Sequence, residues 1–147
     1  MTPGAILTAL QTALQGSSNL SYVDDNYIFI GKRGNIAEYP AIVLEPGLDR
    51  KVRDVFPEEE RILAVNVGGG IKVYDETKQL VGDVNIKGML DFVNDVKKAL
   101  SEDHTLGGAA INVTVGDVVH DQGEEYPLRG FLVSVEVLYR QNRSSRA

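Results

Sequence analysis

The sequence predicts an α+β fold, a two-layer sandwich in which two helices pack on one face of a mainly antiparallel sheet, with long loop or hairpin arms. Two amphipathic segments with the 3.6-residue period of a helix lie near the start and in the second half of the chain. Strand-like segments separate them and two more follow, of which the last alternates strictly. This order of helix, strands, helix and two strands is typical of helices that share one face of a sheet.

The composition is that of one globular domain. The chain has 147 residues, of which 43% are hydrophobic and 24% charged. A domain of this length can form a stable hydrophobic core without disulfides or a structural metal. There is no cysteine, which excludes disulfides, thiolate metal sites and thiol nucleophiles. We read no signal peptide at the N-terminus and no apolar run long enough for a bilayer. We therefore expect a single domain over residues 1–140 and no membrane partner.

The charge is acidic but unevenly placed. A net charge of −6 makes the chain a poor general binder of phosphate backbones. No acidic residue follows Glu136, whereas Arg140, Arg143 and Arg146 do. Residues 141–147 are therefore predicted to be a short basic tail, mobile and solvated.

The first segment predicts a helix with defined ends. Thr2 suits the N-cap and Pro3 the first helical position, where its missing N–H costs nothing. Gly16, followed by two serines, ends the segment. The apolar positions that share one face are Ile6, Leu7, Leu10, Ala13 and Leu14.

Two short strands and a charged arm come next. Residues 27–30 read as a strand, and Tyr39-Pro40 opens another at Ala41–Glu45, closed by Pro46-Gly47. Residues 48–61, LDRKVRDVFPEEER, have no stable period and no cap. We expect them to form a long exposed loop, a feature that is usually functional or disordered.

The middle of the chain combines an alternating segment with the second helix. Residues 61–75 alternate around Gly68-Gly69-Gly70, which predicts a strand with a glycine bulge or two strands joined by a glycine turn. Asp83 or Asn85 is the expected N-cap of the helix that follows, and residues 106–108 end the segment. The helix's apolar stripe comprises Met89, Phe92, Val93, Val96 and Leu100.

Two strands complete the predicted domain. Ile111, Val113 and Val115 alternate with polar or small residues, and residues 131–139 alternate over a longer run. The segment between them, which includes HDQGEEYPLRG, reads as the tip of a long hairpin. On the outer face of the last strand, Leu132 and Leu138 add apolar surface.

Motifs for catalysis or cofactor binding are weak. The glycines at 68–70 and 107–108 lead into strands, whereas a phosphate-binding loop leads into a helix. His104 and His120 have no metal-ligand spacing and read as solvated loop histidines. Clustered carboxylates leave a small acid–base or metal-dependent enzyme open as an alternative, because such pairs meet without a sequence signature. We expect no cofactor, no metal and no catalytic activity.

The two polar arms, residues 48–61 and 119–130, are the expected contact surfaces. Long arms with few core residues gain little from folding alone, so we expect them to lie against a neighbouring subunit or a lumen. The candidate contact residues, chosen for charge and exposure, are Arg50, Lys51, Arg53, Asp54, Glu58, Glu59, Glu60, Arg61, Glu124, Glu125, Arg129 and Arg140.

The pattern of elements resembles a known family. The segments that carry the likeness are YPAIVLEPG, RILAVNV, KGMLDFVNDVKKALSED, GGAAINVTVGDVV and RGFLVSVEVLYR. Their order and spacing are similar to the tail-terminator family of tailed bacteriophages, the group that includes the lambda tail terminator. A related neck and tail-completion group has a similar fold. The likeness covers most of the chain and includes no diagnostic motif.

This resemblance implies a structural role in a virion. It implies a homo-oligomeric ring, typically a hexamer, that caps the tail tube, ends its polymerisation and presents a surface to the head or neck. The implied partners are the tail tube protein and neck, connector or sheath proteins, in a particle assembled in the host cytoplasm. DNA would pass the acidic lumen without specific binding. A neck or head–tail connector subunit and a small binding module remain alternatives.

Overall fold

The computed structural model describes residues 2–31, 39–85, 87–121 and 126–142. Single turns of 3₁₀ helix lie at Ser18–Leu20, Asp25–Tyr27 and Leu106–Gly108. The predicted α+β class is confirmed. The described helices and strands are α1 (Pro3–Gly16), β1 (Ile28–Ile30), β2 (Ala41–Val55), β3 (Glu58–Lys72), α2 (Glu76–Leu80), α3 (Met89–Ser101), β4 (Asn112–His120) and β5 (Leu128–Asn142).

Within the described residues the strands form one sheet in the order β1-β2-β3-β5-β4. β1 pairs with β2 in parallel, and the other three pairings are antiparallel. The central strand β3 pairs with β5 along its entire length, from Glu58 opposite Asn142 to Lys72 opposite Leu128. The sheet is therefore mainly antiparallel, as its alternating segments predict.

The core lies between the sheet and the helices α1 and α3, which contact each other and the strands. The alternation of β5 sends every second side chain to this core, as its period-two pattern predicts. An edge-to-face contact between Phe92 of α3 and Phe131 of β5, with ring centroids 5.2 Å apart, joins the two layers. The buried strand residues that share this face include Ile42, Leu44, Leu63, Val65, Val67, Ile71, Phe131, Val133, Val135, Val137 and Tyr139. No described helix has the length and apolarity needed to cross a bilayer.

The first helix begins and ends where the sequence predicts. The Thr2 hydroxyl accepts a hydrogen bond from the Ala5 amide at 3.3 Å, and Pro3 occupies the first turn. This cap satisfies one of the amides that the first turn of a helix leaves unpaired. The helix buries Ile6, Leu7, Leu10 and Leu14 on one face.

The N-cap predicted for the second long helix is wrong. α3 begins after Gly88, and the Asp83 side chain instead accepts a hydrogen bond from the Asn85 amide. A Cβ on Gly88 would lie 2.5 Å from the Gly82 amide nitrogen, so only glycine fits where the chain returns past Gly82. An isolated bridge between Gly82 and Lys87 closes this loop.

The segment predicted as a loop over residues 48–61 is strand. β2 continues past Pro46-Gly47 to Val55, and β3 begins at Glu58. Each of two bulges, between Pro46 and Asp49 and between Lys51 and Arg53, inserts one extra residue into β2. A bulge interrupts the alternation of faces, so the charged sequence has no clear period although its backbone is paired.

The triple glycine is neither a bulge nor a turn. Gly68, Gly69 and Gly70 pair in regular register with both β2 and β5. Gly69 faces the core, where the ring of Phe131 occupies the position that a side chain would take. The glycine is therefore required by packing across the sheet and not by chain reversal.

Three further features differ from the prediction. The short helix α2 was not expected; the buried Gln79 amide anchors it by donating to the carbonyls of Val73 and Pro127, both at 2.7 Å. His120 lies at the end of β4 and is half-buried, not in a solvated loop. β5 continues through Asn142, two residues into the predicted tail, and residues 143–147 lie outside the described part of the chain.

Candidate assembly surface

The far end of the sheet is a three-stranded structure, which we call the sheet extension. It consists of residues 48–61 of β2 and β3 together with residues 137–142 of β5. β3 lies in its middle, hydrogen-bonded on both sides. The predicted arm is therefore a continuation of the sheet. Its paired strands hold the turn at its tip in a defined position.

A charge cluster on the core side spans all three strands. The Arg61 guanidinium donates from Nε to the Asp49 carboxylate at 3.1 Å and from Nη2 to the Asp49 carbonyl at 3.3 Å. Its Nη1 donates to Glu59 at 3.3 Å. The buried Tyr139 hydroxyl donates to the Asp49 carboxylate at 3.0 Å. Asp49 on β2 is thus bound to both β3 and β5.

This cluster perturbs two titrating groups. Burial raises the pKa of Tyr139 to about 12, and the hydrogen bond to Asp49 and its negative charge add to the effect. Burial alone would lower the pKa of Arg61, but the hydrogen bond and charge of Asp49 outweigh it, so that pKa is raised. A neutral tyrosine and a charged arginine are the forms that these hydrogen bonds need, and both shifts extend to higher pH the range over which the groups keep them.

The opposite side of the sheet extension carries paired arginines and carboxylates. Glu60 lies between Arg53 and Arg140 in cross-strand register and forms ion pairs with both, the latter at 3.7 Å. Arg50 and Glu136 form a further pair at 3.7 Å. The Arg50–Glu136 pair is exposed on both sides, and such a pair contributes only about 0–1 kcal/mol. Charges on β2, the outer strand of the extension, also disfavour indiscriminate pairing of strands between molecules.

The predicted contact residues divide into four groups in the structure. Arg50, Lys51, Arg53, Asp54 and Arg140 are exposed on the sheet extension, and Glu58 and Arg61 are half-buried there. The expected exposure of Glu59, Glu60 and Arg129 is wrong, because all three are buried. Glu124 and Glu125 lie outside the described residues. Contact of any of these residues with another subunit stays a prediction.

The buried position of Arg129 has a structural cause. Its Nε donates to the Asp121 carbonyl at 3.3 Å, and its Nη1 lies 3.9 Å from the carboxylate of Glu76 on α2. Arg129 therefore connects the β4–β5 hairpin to α2. The residues in between, 122–125, belong to the arm predicted over 119–130 and lie outside the described part of the chain.

The tip of the sheet extension is apolar, which the charge of the segment concealed. Phe56, at the turn between β2 and β3, is 82% exposed, and Pro57 beside it is exposed too. Leu48, on the same extension but away from the tip, is 69% exposed. A single aromatic residue within a charged run is the signal in the sequence that marks this tip.

A cleft lies at the opposite end of the same two strands, where β2 begins and β3 ends. Its volume is about 710 Å³, and Tyr22, Tyr39, Pro40, Tyr74 and Val84 contribute to its walls. Two lysines flank the aromatic rings: Lys87 lies 5.0 Å from the ring centre of Tyr22, and Lys72 lies 6.0 Å from that of Tyr74. The cleft and the tip are thus two apolar features at opposite ends of the sheet.

Three of the carboxylates that left an enzyme open, Asp54, Glu59 and Glu60, are engaged in ion pairs, and Glu124 and Glu125 lie outside the described residues. Glu59 pairs with Arg61, and Glu60 with two arginines. Within the part of the chain that is described, no three His, Asp or Glu side chains are grouped so as to hold a metal ion. The ion pairs of Glu60 join β3 to β2 and β5, whereas that of Glu59 lies within β3 and orients Arg61 towards Asp49 on β2.

Comparison with known proteins shows a likeness to solved structures over nearly the whole chain. No protein-family model matches the chain, and no curated protein matches it. Among solved structures, a chain from the virion of a native gene transfer agent particle is similar to it, with a TM-score of 0.69 and 10% sequence identity. The similarity covers 94% of this chain and 96% of that one. At this identity the likeness establishes a shared fold.

Proposed function

We propose that this protein is a structural subunit of a virion that forms a ring on the tail tube, ends tube polymerisation and provides a surface for head or neck joining. The observation that carries the proposal is the fold shared over 94% of the chain with a chain of a gene transfer agent virion. The sequence resemblance to phage tail terminators points to the same class of particle. We expect a hexamer, with the tail tube protein as its first partner.

The shape of the subunit supports assembly. A closed ring needs heterologous contacts, in which one patch meets a different patch on the next copy. The sheet extension and the cleft are two unlike surfaces held at opposite ends of one sheet. The paired state of Glu59 and Glu60 further supports a structural role over catalysis. A net charge of −6 suits a lumen through which DNA passes without specific binding.

The first test is the absolute mass of the protein in solution, alone and after mixing with tail tube protein, by light scattering coupled to size exclusion. The proposal expects a mass near six chains, or a ring that appears once tube protein is present. In electron micrographs, tubes polymerised with the protein should be shorter and carry a cap at one end. Tubes of unchanged length with uncapped ends would contradict the proposal.

A shortened variant tests the role of the sheet extension. Replacing residues 52–60 by Asn-Gly removes the tip and joins Lys51 to Arg61, which are directly opposed partners, through a two-residue turn. The variant retains the cluster of Asp49, Arg61 and Tyr139. We expect it to fold, as measured by circular dichroism, but to lose the ring. An intact ring would show that the extension is not the contact between subunits.

The same observation is compatible with a second candidate, a neck or head–tail connector subunit of the same fold, because the similar chain comes from a virion and its likeness specifies no position in the particle. The two candidates differ in their partner. A terminator binds the end of the tail tube in the absence of heads, whereas a connector subunit binds purified heads or portal complexes and leaves tube length unchanged.

A further inference from the structure

The tip of the sheet extension places an aromatic residue where hairpins rarely have one. Two-residue hairpin turns favour Asn, Asp and Gly, yet Phe56 and Pro57 connect β2 to β3 here. Phe56 is 82% exposed. Because a phenylalanine buries about 150–250 Å² when it is enclosed, this side chain leaves much hydrophobic stabilisation unused within one copy of the protein.

The cleft has the size and lining that such a side chain requires. Its volume of about 710 Å³ lies in the range of about 300–1,000 Å³ typical of sites that enclose small apolar groups. Three tyrosines and a proline line it, and aromatic rings pack favourably edge to face against another ring. Two of its residues are themselves well exposed, Tyr74 at 71% and Val84 at 98%.

The charges around the two surfaces permit contact between copies. The chain carries a net charge of −6, so two copies repel each other overall. The rim of the cleft has two positive groups, Lys72 and Lys87, and two negative ones, Asp83 and Asp91, a local sum of zero. Residues 51–58 also contain two positive and two negative groups, again a local sum of zero. The charges at the tip and at the cleft therefore add no net repulsion between two copies that meet there.

The positions of the two surfaces determine how they meet. β3 has 15 residues between the tip and the cleft, which at ~3.3 Å per residue separates them by roughly 45 Å along one sheet. The tip of a copy therefore does not reach its own cleft. A tip-to-cleft contact between two copies is head-to-tail, and such a contact closes into a ring when the rotation between copies allows it.

We infer that the Phe56–Pro57 tip of one copy docks in the tyrosine-lined cleft of a neighbouring copy. The inference rests on the proposed ring and specifies the contact that builds it. Phe56 enters between the tyrosines, and the charged residues beside the tip face the charged rim of the cleft. Replacing Phe56 by Ser should weaken self-association roughly thirty-fold or more, as expected for an aromatic residue at the centre of an interface.

Cross-linking between two single-cysteine variants tests the contact directly, since the chain contains no cysteine of its own. Asp54→Cys places a thiol beside the tip and keeps Phe56, and Val84→Cys places one at the cleft. A size-tagged copy of the first is mixed with the second and treated with a short bismaleimide. The matched control replaces Val84→Cys by Val119→Cys, on an exposed residue of β4 at the far edge of the sheet.

We expect a covalent heterodimer for the Asp54→Cys and Val84→Cys pair and only background for the Val119→Cys control. Adding Phe56→Ser to the tip variant should abolish the cross-link, whereas adding Leu48→Ser, on the same extension but away from the tip, should preserve it. Tyr74→Ser in the cleft variant gives an independent second loss. A cross-link at control level, or one that persists with Phe56→Ser, would overturn the inference.

The mass in solution separates this inference from the proposed function. A closed ring without the tip-to-cleft cross-link would leave the ring proposal standing and refute the contact. A cross-link that depends on Phe56 in an open filament, or in a dimer that does not cap tubes, would support the contact and count against the ring at the tail tube.

Discussion

The packing of Phe131 on Gly69 leads to a sharp prediction about a single methyl group. A Cβ on Gly69 would lie 2.3 Å from Phe131 Cζ and 2.5 Å from Phe131 Cε1, against the 3.5–4.0 Å at which carbon atoms pack. The ring has little room to move, because it is 5% exposed and packs against Phe92 with centroids 5.2 Å apart. Gly69→Ala must therefore displace the ring by more than about 1 Å.

The expected cost follows from overpacking. Forcing an extra methyl group into a packed core costs about 1–3 kcal/mol. Alanine loses less backbone conformational entropy than glycine on folding, and this difference offsets about 0.5–1 kcal/mol of the cost. We expect Gly69→Ala to lower the free energy of unfolding by about 1–2 kcal/mol, which corresponds to a melting temperature lower by roughly 2–8 °C in a domain of this size.

The adjacent glycine supplies a matched control. A Cβ on Gly68, on the helix-free face of the sheet, would meet its nearest atoms at 3.7 Å, an ordinary contact. Gly68→Ala should therefore be neutral or slightly stabilising. Urea unfolding followed by circular dichroism compares the two variants, and a Phe131→Leu background should reduce the cost of Gly69→Ala. Equal stability of the two alanine variants would refute the packing of Phe131 on Gly69.

Three more changes test other parts of the structure. Thr2→Ala removes the cap of α1 and should cost about 1 kcal/mol in urea unfolding, with Thr2→Ser as the near-neutral control. Gly88→Ala places a Cβ 2.5 Å from backbone atoms of the 81–82 turn and should cost about 2 kcal/mol or more; a cost below that of Gly68→Ala would argue against this close approach. Tyr139→Phe removes the hydrogen bond to Asp49 and should cost about 1–2 kcal/mol at neutral pH. Because folding raises the pKa of Tyr139 from about 10 to about 12, its contribution is complete below pH 10 and is lost as the pH rises through 12. Stability should therefore fall less steeply over this window in Tyr139→Phe than in the unaltered protein, and equal slopes in a pH series of urea unfolding would contradict the assignment.

The sequence alone determined the fold class, the ends of α1, the apolar stripe of α3 and the faces of β5. In each case a local signal and the final packing agree: Thr2 caps the helix that Pro3 begins, and residues 131–139 keep strict alternation because one face packs on the helices. The resemblance to a phage family came from the order of these same elements.

The tertiary structure alone decided the character of residues 48–61 and the placement of the charges on them. The segment is strand because β3 and β5 supply its hydrogen-bond partners, and two bulges hide the alternation that would have revealed it. Glu60 is buried where the register of three strands brings Arg53 from β2 and Arg140 from β5 to it, and no local pattern reveals the second of these partners. The need for glycine at position 69 comes from Phe131, far along the chain. The need for glycine at position 88 comes from the backbone of Gly82, across a loop. Local propensity acts over a few residues, whereas pairing and packing join residues that no sequence window contains.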